Sequence, residues 1–531
     1  MKNSIISISN KARAAIQSRD WEKAYSFANE IVRLEKNNAE GHYLVGLVEK
    51  VTKNPAKARR AFKLALELDP DRYDAAVELA NQYSIARRNA EAEAVLEKYV
   101  KMLDNSPRYL DMAGTVYTDI GLPQKAYPLY KKALGLQPGV DLFKANLASS
   151  AVYAGKIEEA QNLYRSLLER FPNHKSNHYN LSRLAKAQDD SHIQQMKAVL
   201  RASNEPPDKN IFLYYAIAKE LEDLEQWEES FEYYKKGGDA VTSVANYNID
   251  SDIELIDQII DVCDESWLAD DPDRSGEGRS GKTPVFIVGL PRTGTTLTER
   301  IVSSHSQVES LGETLFVQMM LRRESGVQSV DNMNVDMIEA LSLVDMADIA
   351  KGYEDILSYR LGDEPMFIDK LPFNFMYLGF IAKAWPDARI IHLVRNPMDA
   401  CFSMYKQVFT WAYKFSYSLD WLGRYYIAHD RLRRHWQTLL GDRMIEVHYE
   451  TLVSDPENQT RRLLDRLGLD FEEACLEFDK NRAPSTTASS VQVREKVHSG
   501  SVNRWTHFSR QLQPLKEQLE SAGIEIESPT A

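Results

Sequence analysis

Two different patterns of hydrophobic and polar positions divide the chain into an N-terminal and a C-terminal part. In the N-terminal part, small and large apolar residues recur with a period of 34 residues. Pro70, Pro138, Pro172 and Pro206 mark the ends of the repeats, and Asp104 stands at the one place in that register without a proline. In the C-terminal part, short apolar runs alternate with helical patterns. These patterns predict an all-α array followed by an α/β domain.

Small and large residues occupy fixed places within each repeat. The clearest example has five such positions, Gly114, Tyr117, Ala126, Tyr130 and Ala133. Small residues let two antiparallel helices approach closely, while an aromatic ring fills the gap between neighbouring hairpins. We count seven hairpins, and because one hairpin cannot bury its apolar face alone, they are expected to stack. The pattern resembles tetratricopeptide repeats over residues 1–240, which implies a solenoid with a groove for a protein partner.

A connecting region and a second domain follow the repeats. Residues 241–282 contain one amphipathic helical pattern and then a polar, glycine-rich stretch from 270 to 282 that predicts a linker or loop. Within residues 283–531, apolar runs that begin at 284, 366, 388 and 442 predict strands, with helical patterns between them. This alternation indicates a P-loop-like α/β domain with a mainly parallel sheet. Ligands of such sheets bind outside the carboxyl ends of the strands.

The first strand leads into the sequence Gly-Leu-Pro-Arg-Thr-Gly-Thr-Thr at residues 289–296. Gly289 and Gly294 allow a tight turn. The turn is expected to present backbone N–H groups at the start of a helix, where the helix dipole also favours an anion. Arg292 adds a positive charge, and Thr295 and Thr296 add hydroxyl donors. The loop therefore predicts a phosphate or sulfate site.

Composition narrows the functions that this anion site can serve. The net charge of −13 argues against a general nucleic-acid or anionic-membrane binder. Cys263, Cys401 and Cys475 share no metal-ligand spacing, and so sparse a set favours a reducing compartment. The sequence shows neither a signal-peptide pattern nor an apolar run of the ~20 residues that span a bilayer. We therefore expect a cytoplasmic protein that uses no metal ion.

A nucleoside-triphosphate site is the main alternative for the loop. The two glycines and Thr296 occupy the glycine and hydroxyl positions of a Walker loop. However, Thr295 stands at the lysine position, so the charge that contacts the terminal phosphates is missing. The candidate aspartate for a magnesium ion, Asp369, is followed directly by Lys370. A nucleotide kinase or NTPase is therefore disfavoured and stays open as an alternative.

The loop resembles the 5′-phosphosulfate loop of sulfotransferases that use 3′-phosphoadenosine 5′-phosphosulfate (PAPS). Its arginine-containing form is similar to that of tyrosylprotein sulfotransferases and of bacterial proteins that fuse tetratricopeptide repeats to such a domain. The resemblance implies that the 5′ end of the donor is held by five consecutive residues, Arg292, Thr293, Gly294, Thr295 and Thr296.

The resemblance extends to residues that would hold the rest of the donor. Arg395 and Ser403, eight residues apart, match the family pair that binds the 3′-phosphate. A third basic contact of the family falls at Gln407, so this charge is absent or supplied elsewhere. Tyr449 matches a further donor contact. Arg504 matches a family residue that reaches the 3′-phosphate from a segment that closes over the nucleotide.

Catalytic residues of the family also have matches in this chain. Glu313, twenty-one residues after Arg292, matches the general base that takes the proton of the acceptor hydroxyl. Lys370 and Arg292 match residues that stabilise charge on the sulfuryl group in the transition state. Ser489, with Ser490 as its rival, matches a residue that contacts the donor and aids the transition state.

These matches imply an enzyme that transfers the sulfuryl group of PAPS to an acceptor hydroxyl without a metal ion, with the repeats selecting or presenting the acceptor. A peptide tyrosine is one acceptor that the resemblance implies, and glycan hydroxyls and small molecules stay open. A repeat adaptor with an inert α/β domain is the remaining alternative. The presence of both Glu313 and Lys370 argues against it.

Overall fold

The computed structural model describes residues 2–269, 281–329, 333–409, 412–481, 483–484, 487, 494 and 499–526. The chain divides into two compact units, one of Met1–Ala154 with Ile356–Tyr359 and one of Gly155–Asp355 with Arg360–Ala531. The domain boundaries expected after residues 240 and 282 stay predictions.

The first unit is a series of helices that pack against their neighbours in chain order. They are α1 (Lys2–Gln17), α2 (Trp21–Leu34), α3 (Ala39–Val51), α4 (Pro55–Leu68), α5 (Tyr73–Ile85), α6 (Asn89–Tyr99), α7 (Pro107–Asp119), α8 (Pro123–Leu136) and α9 (Asp141–Tyr153). An added Cβ at Gly46 on α3 would lie 2.5 Å from the ring of Phe62 on α4. At Gly114 on α7, it would lie 2.9 Å from the ring of Tyr130 on α8. The small and large positions of the repeat are thus the places where two helices meet.

Gly46→Ala is expected to destabilise the first unit, because the Phe62 ring must move to admit the new methyl group. Adding a methyl group to a packed core costs about 1–3 kcal/mol. Gly135→Ala on α8 is the matched control, since its Cβ would meet no atom within 4 Å and should leave stability unchanged or raise it slightly. Calorimetric unfolding of both variants checks the prediction, and equal effects would contradict it.

The second unit begins with further helices of the same kind. They are α10 (Ile157–Arg170), α11 (Lys175–Ser182), α12 (Ser191–Ala202), α13 (Ile211–Asp223) and α14 (Trp227–Thr242), followed by α15 (Ile249–Val262) and α16 (Glu265–Ala269). Helices α13 and α14 pack closely, and an added Cβ at Gly237 would lie 2.5 Å from the Tyr215 ring. Along residues 2–242, fourteen α-helices, α1 to α14, follow one another in the chain, and the seven predicted hairpins stay a prediction.

A five-stranded parallel sheet forms the centre of the α/β region of the second unit. Its strands are β1 (Thr283–Gly289), β2 (Val308–Ser310), β3 (Met366–Lys370), β4 (Arg389–Val394) and β5 (Met444–His448). The order across the sheet is β2-β3-β1-β4-β5, and all neighbours are parallel. Because β1 is flanked by β3 and β4, the carboxyl ends of these three strands lie side by side. This confirms the predicted parallel sheet.

Helices connect and cover the strands. They are α17 (Thr295–Val302), α18 (Phe316–Glu324), α19 (Val335–Leu341), α20 (Met346–Leu357), α21 (Leu378–Ala384), α22 (Pro397–Tyr405), α23 (Leu419–Leu440), α24 (Tyr449–Ser454), α25 (Pro456–Leu467) and α26 (Gln513–Ser521). Two short 3₁₀ helices, Ser499–Ser501 and Arg504–Phe508, lie in a stretch that we call the closing segment, residues 499–508.

The four predicted strands correspond to β1, β3, β4 and β5, and the sequence pattern missed β2 because three residues carry too little periodicity. Between β3 and α21, a 3₁₀ helix extends from Pro372 to Tyr377. Residues 270–280 of the predicted linker lie outside the described residues.

Among the residues that the structure describes, no helix combines the length and apolarity that crossing a bilayer requires. The same residues contain no group of three or more His, Cys, Asp or Glu side chains arranged to hold a metal ion.

Candidate functional site

The loop between β1 and α17 has the backbone geometry that its glycines predict. Gly289 has φ +141° and Gly294 has φ +102°, both in the region that favours glycine. A Cβ at Gly294 would also lie 2.6 Å from the Tyr449 ring. The hydroxyl of Thr293 donates to the carbonyl oxygen of Leu290 at 2.7 Å and closes the turn. The loop thereby leads directly into the N-terminus of α17, where a helix favours an anion.

Positive charge gathers at this loop. Arg292 adopts φ +69°, which is uncommon for a residue other than glycine. Burial, and after it the positive charges of Arg183 and Arg395, lower the pKa of Arg292 to about 10. Arg183 directly follows α11, so a residue of the helical repeats contributes to the charge here. A bound anion would offset the mutual repulsion of these guanidinium groups.

Arg395 follows β4 and connects several of the residues that the sequence predicted. Its Nη1 donates to the carbonyl oxygen of Arg292 at 2.8 Å and to Oγ of Ser403 at 3.2 Å. Its Nη2 donates to the carbonyl oxygen of Ser501 in the closing segment at 2.5 Å. The guanidinium carbon lies 4.7 Å from the ring centre of Tyr449, whose hydroxyl is 2.6 Å from Oγ of Ser501. The structure thus brings Arg292, Arg395, Ser403 and Tyr449 together.

Lys370 and Glu313 form a second cluster at the ends of β3 and β2. Nζ of Lys370 donates to Oε1 of Glu313 at 2.5 Å and lies 3.5 Å from Oε2 of Glu299 on α17. Lys370 is fully buried, whereas about a third of the Glu313 side chain is exposed (35%). Burial lowers the pKa of Lys370, yet the carboxylates of Glu313 and Glu299 outweigh burial and raise the pKa above its ordinary value.

The strand missed by the sequence pattern is what positions Glu313. Strand β2 pairs with β3, and the backbone N–H of Lys370 then donates to the carbonyl oxygen of Gly312 at 2.9 Å. This bond places Glu313 next to the end of β3. Lys370 is also the register partner of Ile287, two residues before the loop glycine Gly289. Glu313 and Lys370 therefore lie at the same edge of the sheet as the anion loop.

Asp369 points away from that edge. Consecutive residues of a strand face opposite sides of the sheet, so Asp369 and Lys370 diverge. The carboxylate of Asp369 accepts hydrogen bonds from the hydroxyls of Thr314 at 2.6 Å and Tyr353 at 2.7 Å. Burial raises the pKa of Asp369 to about 6, although these two hydrogen bonds partly oppose the rise. Asp369 is thus engaged in the interior, which disfavours a role as a magnesium ligand at the loop.

Asp369→Asn is expected to gain stability relative to the wild type as the pH rises. The folded-state pKa of Asp369 lies above its ordinary value of 3.8, so protonated Asp369 contributes fully to the stability of the fold below about pH 3.8. This contribution is lost as the pH rises through about 6. Asparagine stays neutral, so the variant does not lose this folding free energy, which is on the order of 3 kcal/mol. Unfolding midpoints at about pH 4 and about pH 8 check this, and a difference that does not change with pH would contradict it.

The remaining predicted site residues lie in the anion loop, in contact with helix α13, or outside the described residues. The side chains of Thr293, Thr295 and Thr296 are buried, and the Thr296 hydroxyl donates to the Thr487 hydroxyl at 3.4 Å. Nη2 of Arg504 donates to Oε1 of Glu222 on α13 at 2.8 Å, so Arg504 contacts a repeat helix. Ser489 and its rival Ser490 lie outside the described residues.

Sequence reasoning missed three residues that contact the site. Glu299 accepts a hydrogen bond from Oγ of Ser310 at 2.6 Å besides facing Lys370. A glutamate on the second turn of α17 could have suggested it, because that helix packs on the sheet. Glu222 and Lys406, on α13 and after α22, carry no sequence signal that links them to the loop.

The sequence profile of the sulfotransferase family matches residues 284–473. An uncharacterised protein of Aquifex aeolicus (strain VF5) is 29% identical over 446 residues, which cover 82% of this chain and 58% of that protein. A protein-tyrosine sulfotransferase of Drosophila melanogaster is 23% identical over 269 residues, which cover 49% of this chain and 54% of that protein. The chain thus spans little more than half the length of these curated relatives.

Among solved structures, the sulfotransferase domain from the Synechococcus PCC 7002 olefin synthase is 20% identical and covers 47% of this chain and 99% of that domain. The TM-score of this comparison is 0.34. The family profile spans the anion loop, Glu313, Lys370 and the Arg395–Ser403 pair. Residues 284–473 thus match the sulfotransferase family, and a series of helices precedes them in the chain.

Proposed function

We propose that this protein is a sulfotransferase that moves the sulfuryl group of PAPS to an acceptor hydroxyl. The observation that carries the proposal is the 2.5 Å contact between Lys370 and Glu313, at the sheet edge where the anion loop begins. It joins a cation, which suits an anionic sulfuryl group, to a carboxylate, which suits a hydroxyl proton. An anion site alone would need no such carboxylate.

In the proposed reaction, the acceptor oxygen attacks sulfur in line with the bridging oxygen of the 5′-phosphate. One S–O bond forms as the other breaks, and 3′-phosphoadenosine 5′-phosphate leaves. Glu313 accepts the proton of the acceptor hydroxyl, while Lys370 and Arg292 stabilise the negative charge on the sulfuryl and leaving oxygens. Chemistry of this kind depends chiefly on positioning and charge, and the proposed route uses no metal ion.

The donor would lie along the cluster at the carboxyl ends of β1 and β4. The loop residues 292–296 would hold the 5′-phosphosulfate. Arg395 and Ser403 would hold the 3′-phosphate, with Tyr449 packing beside them, as their mutual contacts favour. Arg504 would act at the same end. Ser489 stays a prediction as both a donor contact and a catalytic residue.

The acceptor class is a narrower part of the proposal. The Drosophila relative bears the name of a protein-tyrosine sulfotransferase, which favours a peptide tyrosine. We propose that the helical repeats select or present this acceptor, while glycan and small-molecule hydroxyls remain alternatives. The expected cytoplasmic location likewise stays a prediction.

Incubation of the protein with ³⁵S-labelled PAPS tests the proposal. Tyrosine peptides, oligosaccharides and small phenols serve as acceptors, with and without Mg²⁺. Transfer of label that does not depend on Mg²⁺ supports a sulfotransferase. Mg²⁺-dependent turnover of ATP without sulfate transfer would replace it with an NTPase. Absence of both activities from wild-type protein that binds partners through its repeats would favour an adaptor.

A further inference from the structure

Glu222, on helix α13 of the repeats, is a buried carboxylate with three donors. Its Oε1 accepts from Nζ of Lys406 at 2.7 Å and from Nη2 of Arg504 at 2.8 Å. Its Oε2 accepts from the hydroxyl of Tyr234 on α14 at 3.0 Å. The residue is only 7% exposed, and all four groups lie in the same compact unit. A carboxylate so buried and so fully bonded has a fixed position.

Both cations held by Glu222 lie beside the Arg395–Ser403 pair. Lys406 follows Ser403 by three residues at the end of α22, so the two share a helix face. Arg504 belongs to the closing segment, whose Ser501 carbonyl accepts from Arg395. The two cations are therefore neighbours of the proposed 3′-phosphate position. Gln407, where the family has its third basic residue, instead donates to the Tyr179 hydroxyl at 3.0 Å.

The closing segment is anchored on two sides, which fixes the backbone of Arg504. Oδ2 and Oδ1 of Asp399 on α22 accept from the backbone N–H groups of Asn503 at 2.6 Å and Trp505 at 3.0 Å. On the other side, the Trp227 ring of α14 stacks on His507 with ring centres 4.2 Å apart. With the backbone held, the end of the long Arg504 side chain is fixed by its hydrogen bond to Glu222, beside the Trp227 ring, whose centre lies 5.6 Å from the guanidinium carbon.

We propose, on the basis of the sulfotransferase function above, that Glu222 is a positioning residue that places Lys406 and Arg504 for the 3′-phosphate of the donor. The last repeat hairpin, α13 and α14, would then be a structural part of the donor site as well as part of the array. Lys406 would supply the basic charge that is absent at Gln407.

The charges around Lys406 explain why it needs this partner. Burial raises the pKa of Glu222, but the positive charges of Lys406 and Arg504 outweigh it and lower the pKa to about 2. Burial lowers the pKa of Lys406, Glu222 opposes that effect, and Arg504 and Arg395 add to it. Of its other neighbours, the Phe402 ring lies 4.7 Å from Nζ of Lys406, and the Tyr234 hydroxyl donates to the same Glu222.

Removing the carboxylate would therefore leave a buried ammonium close to two guanidinium groups. Such a lysine loses its proton at a lower pH than before. The site would then lose both the position of Arg504 and, as the pH rises, the charge of Lys406.

The test is calorimetric binding of 3′-phosphoadenosine 5′-phosphate and of adenosine 5′-monophosphate, which lacks the 3′-phosphate. For Glu222→Gln, we expect the first ligand to bind about tenfold more weakly than to the wild type at neutral pH. We expect the loss to grow as the pH rises above neutral, while affinity for the second ligand changes little. The wild type should show a flatter pH profile over that range.

Two further variants separate positioning from folding. Glu222→Gln/Lys406→Met removes the group that titrates, so its affinity should equal the high-pH limit of the single variant and show no slope. This pair also replaces a buried ion pair by neutral groups, a change that folded proteins commonly tolerate. Glu232→Gln removes the same charge from an exposed position on α14 and should bind both ligands as the wild type does.

The outcomes distinguish this inference from the function on which it rests. If the wild type binds the two ligands equally, the proposed donor is wrong and the inference falls with it. If the wild type prefers the 3′-phosphate and Glu222→Gln keeps that preference and pH profile, only the inference is overturned. The same holds if the slope persists in the double variant.

Discussion

Lys370→Met is expected to lower kcat by about 10²–10³-fold, because the proposed transition state loses a preorganised positive charge. The same change should destabilise the second unit. Lys370 is fully buried and faces the carboxylates of Glu313 and Glu299. Removing one partner of a buried ion pair costs about 3–5 kcal/mol, since it leaves an unpaired charge in the interior. Initial rates with labelled PAPS and unfolding midpoints measure the two effects.

The double variant Lys370→Met/Glu299→Gln separates these effects. Glutamine at position 299 removes the buried charge and can still accept from the Ser310 hydroxyl, which now donates at 2.6 Å. We therefore expect most of the lost stability to return while kcat stays low. Recovery of turnover in the double variant would mean that Lys370 acts on the reaction only through folding.

Glu313→Gln is expected to lower kcat by about 10²–10⁴-fold, the usual contribution of a positioned general base. The amide oxygen can still accept from Lys370, so the local geometry should persist, but the proton of the acceptor has no base to receive it. Affinity for 3′-phosphoadenosine 5′-phosphate should change little, because Glu313 contacts Lys370 and none of the residues proposed to bind the 3′ end.

Glu339→Gln on α19 is the matched control for this variant, since it removes one carboxylate from an exposed position of the same unit. Its kcat and donor affinity should equal those of the wild type. Single-turnover rates add a second readout, because they report the transfer step separately from product release. A Glu313→Gln enzyme with an unchanged rate would show that another group takes the proton.

The repeats and the anion loop could be predicted from the sequence because each is formed by residues that are close together in the chain. Gly46 and Phe62 lie on consecutive helices where these contact each other, and small and large residues recur at such positions with the period of 34 residues. Likewise, the strand, the turn and the start of α17 follow one another between residues 283 and 302, and the two glycines adopt the positive φ angles that such a turn requires. In both cases, the residues that fix the geometry are close in the chain.

The position of the candidate base depended on a strand that the pattern did not show. Strand β2 has three residues, and its pairing with β3 brings Glu313 to Lys370, which is 57 residues away. In the sequence, Asp369, the candidate magnesium ligand of the NTPase alternative, directly precedes Lys370, the candidate catalytic cation. Only the alternation of side chains across a formed sheet directs Lys370 to the side of the loop and Asp369 to Thr314 and Tyr353.

By itself, the sequence determined the helical repeats, the parallel strands, the anion loop and the family resemblance of single residues, because periodicity and spacing act over a few turns of chain. The tertiary structure decided which charges meet. Arg504 and Glu222 are 282 residues apart, and their contact requires α13, the end of α22 and the closing segment to pack together. No local pattern encodes such a contact, since it depends on side chains that come together only when distant elements bury their apolar faces.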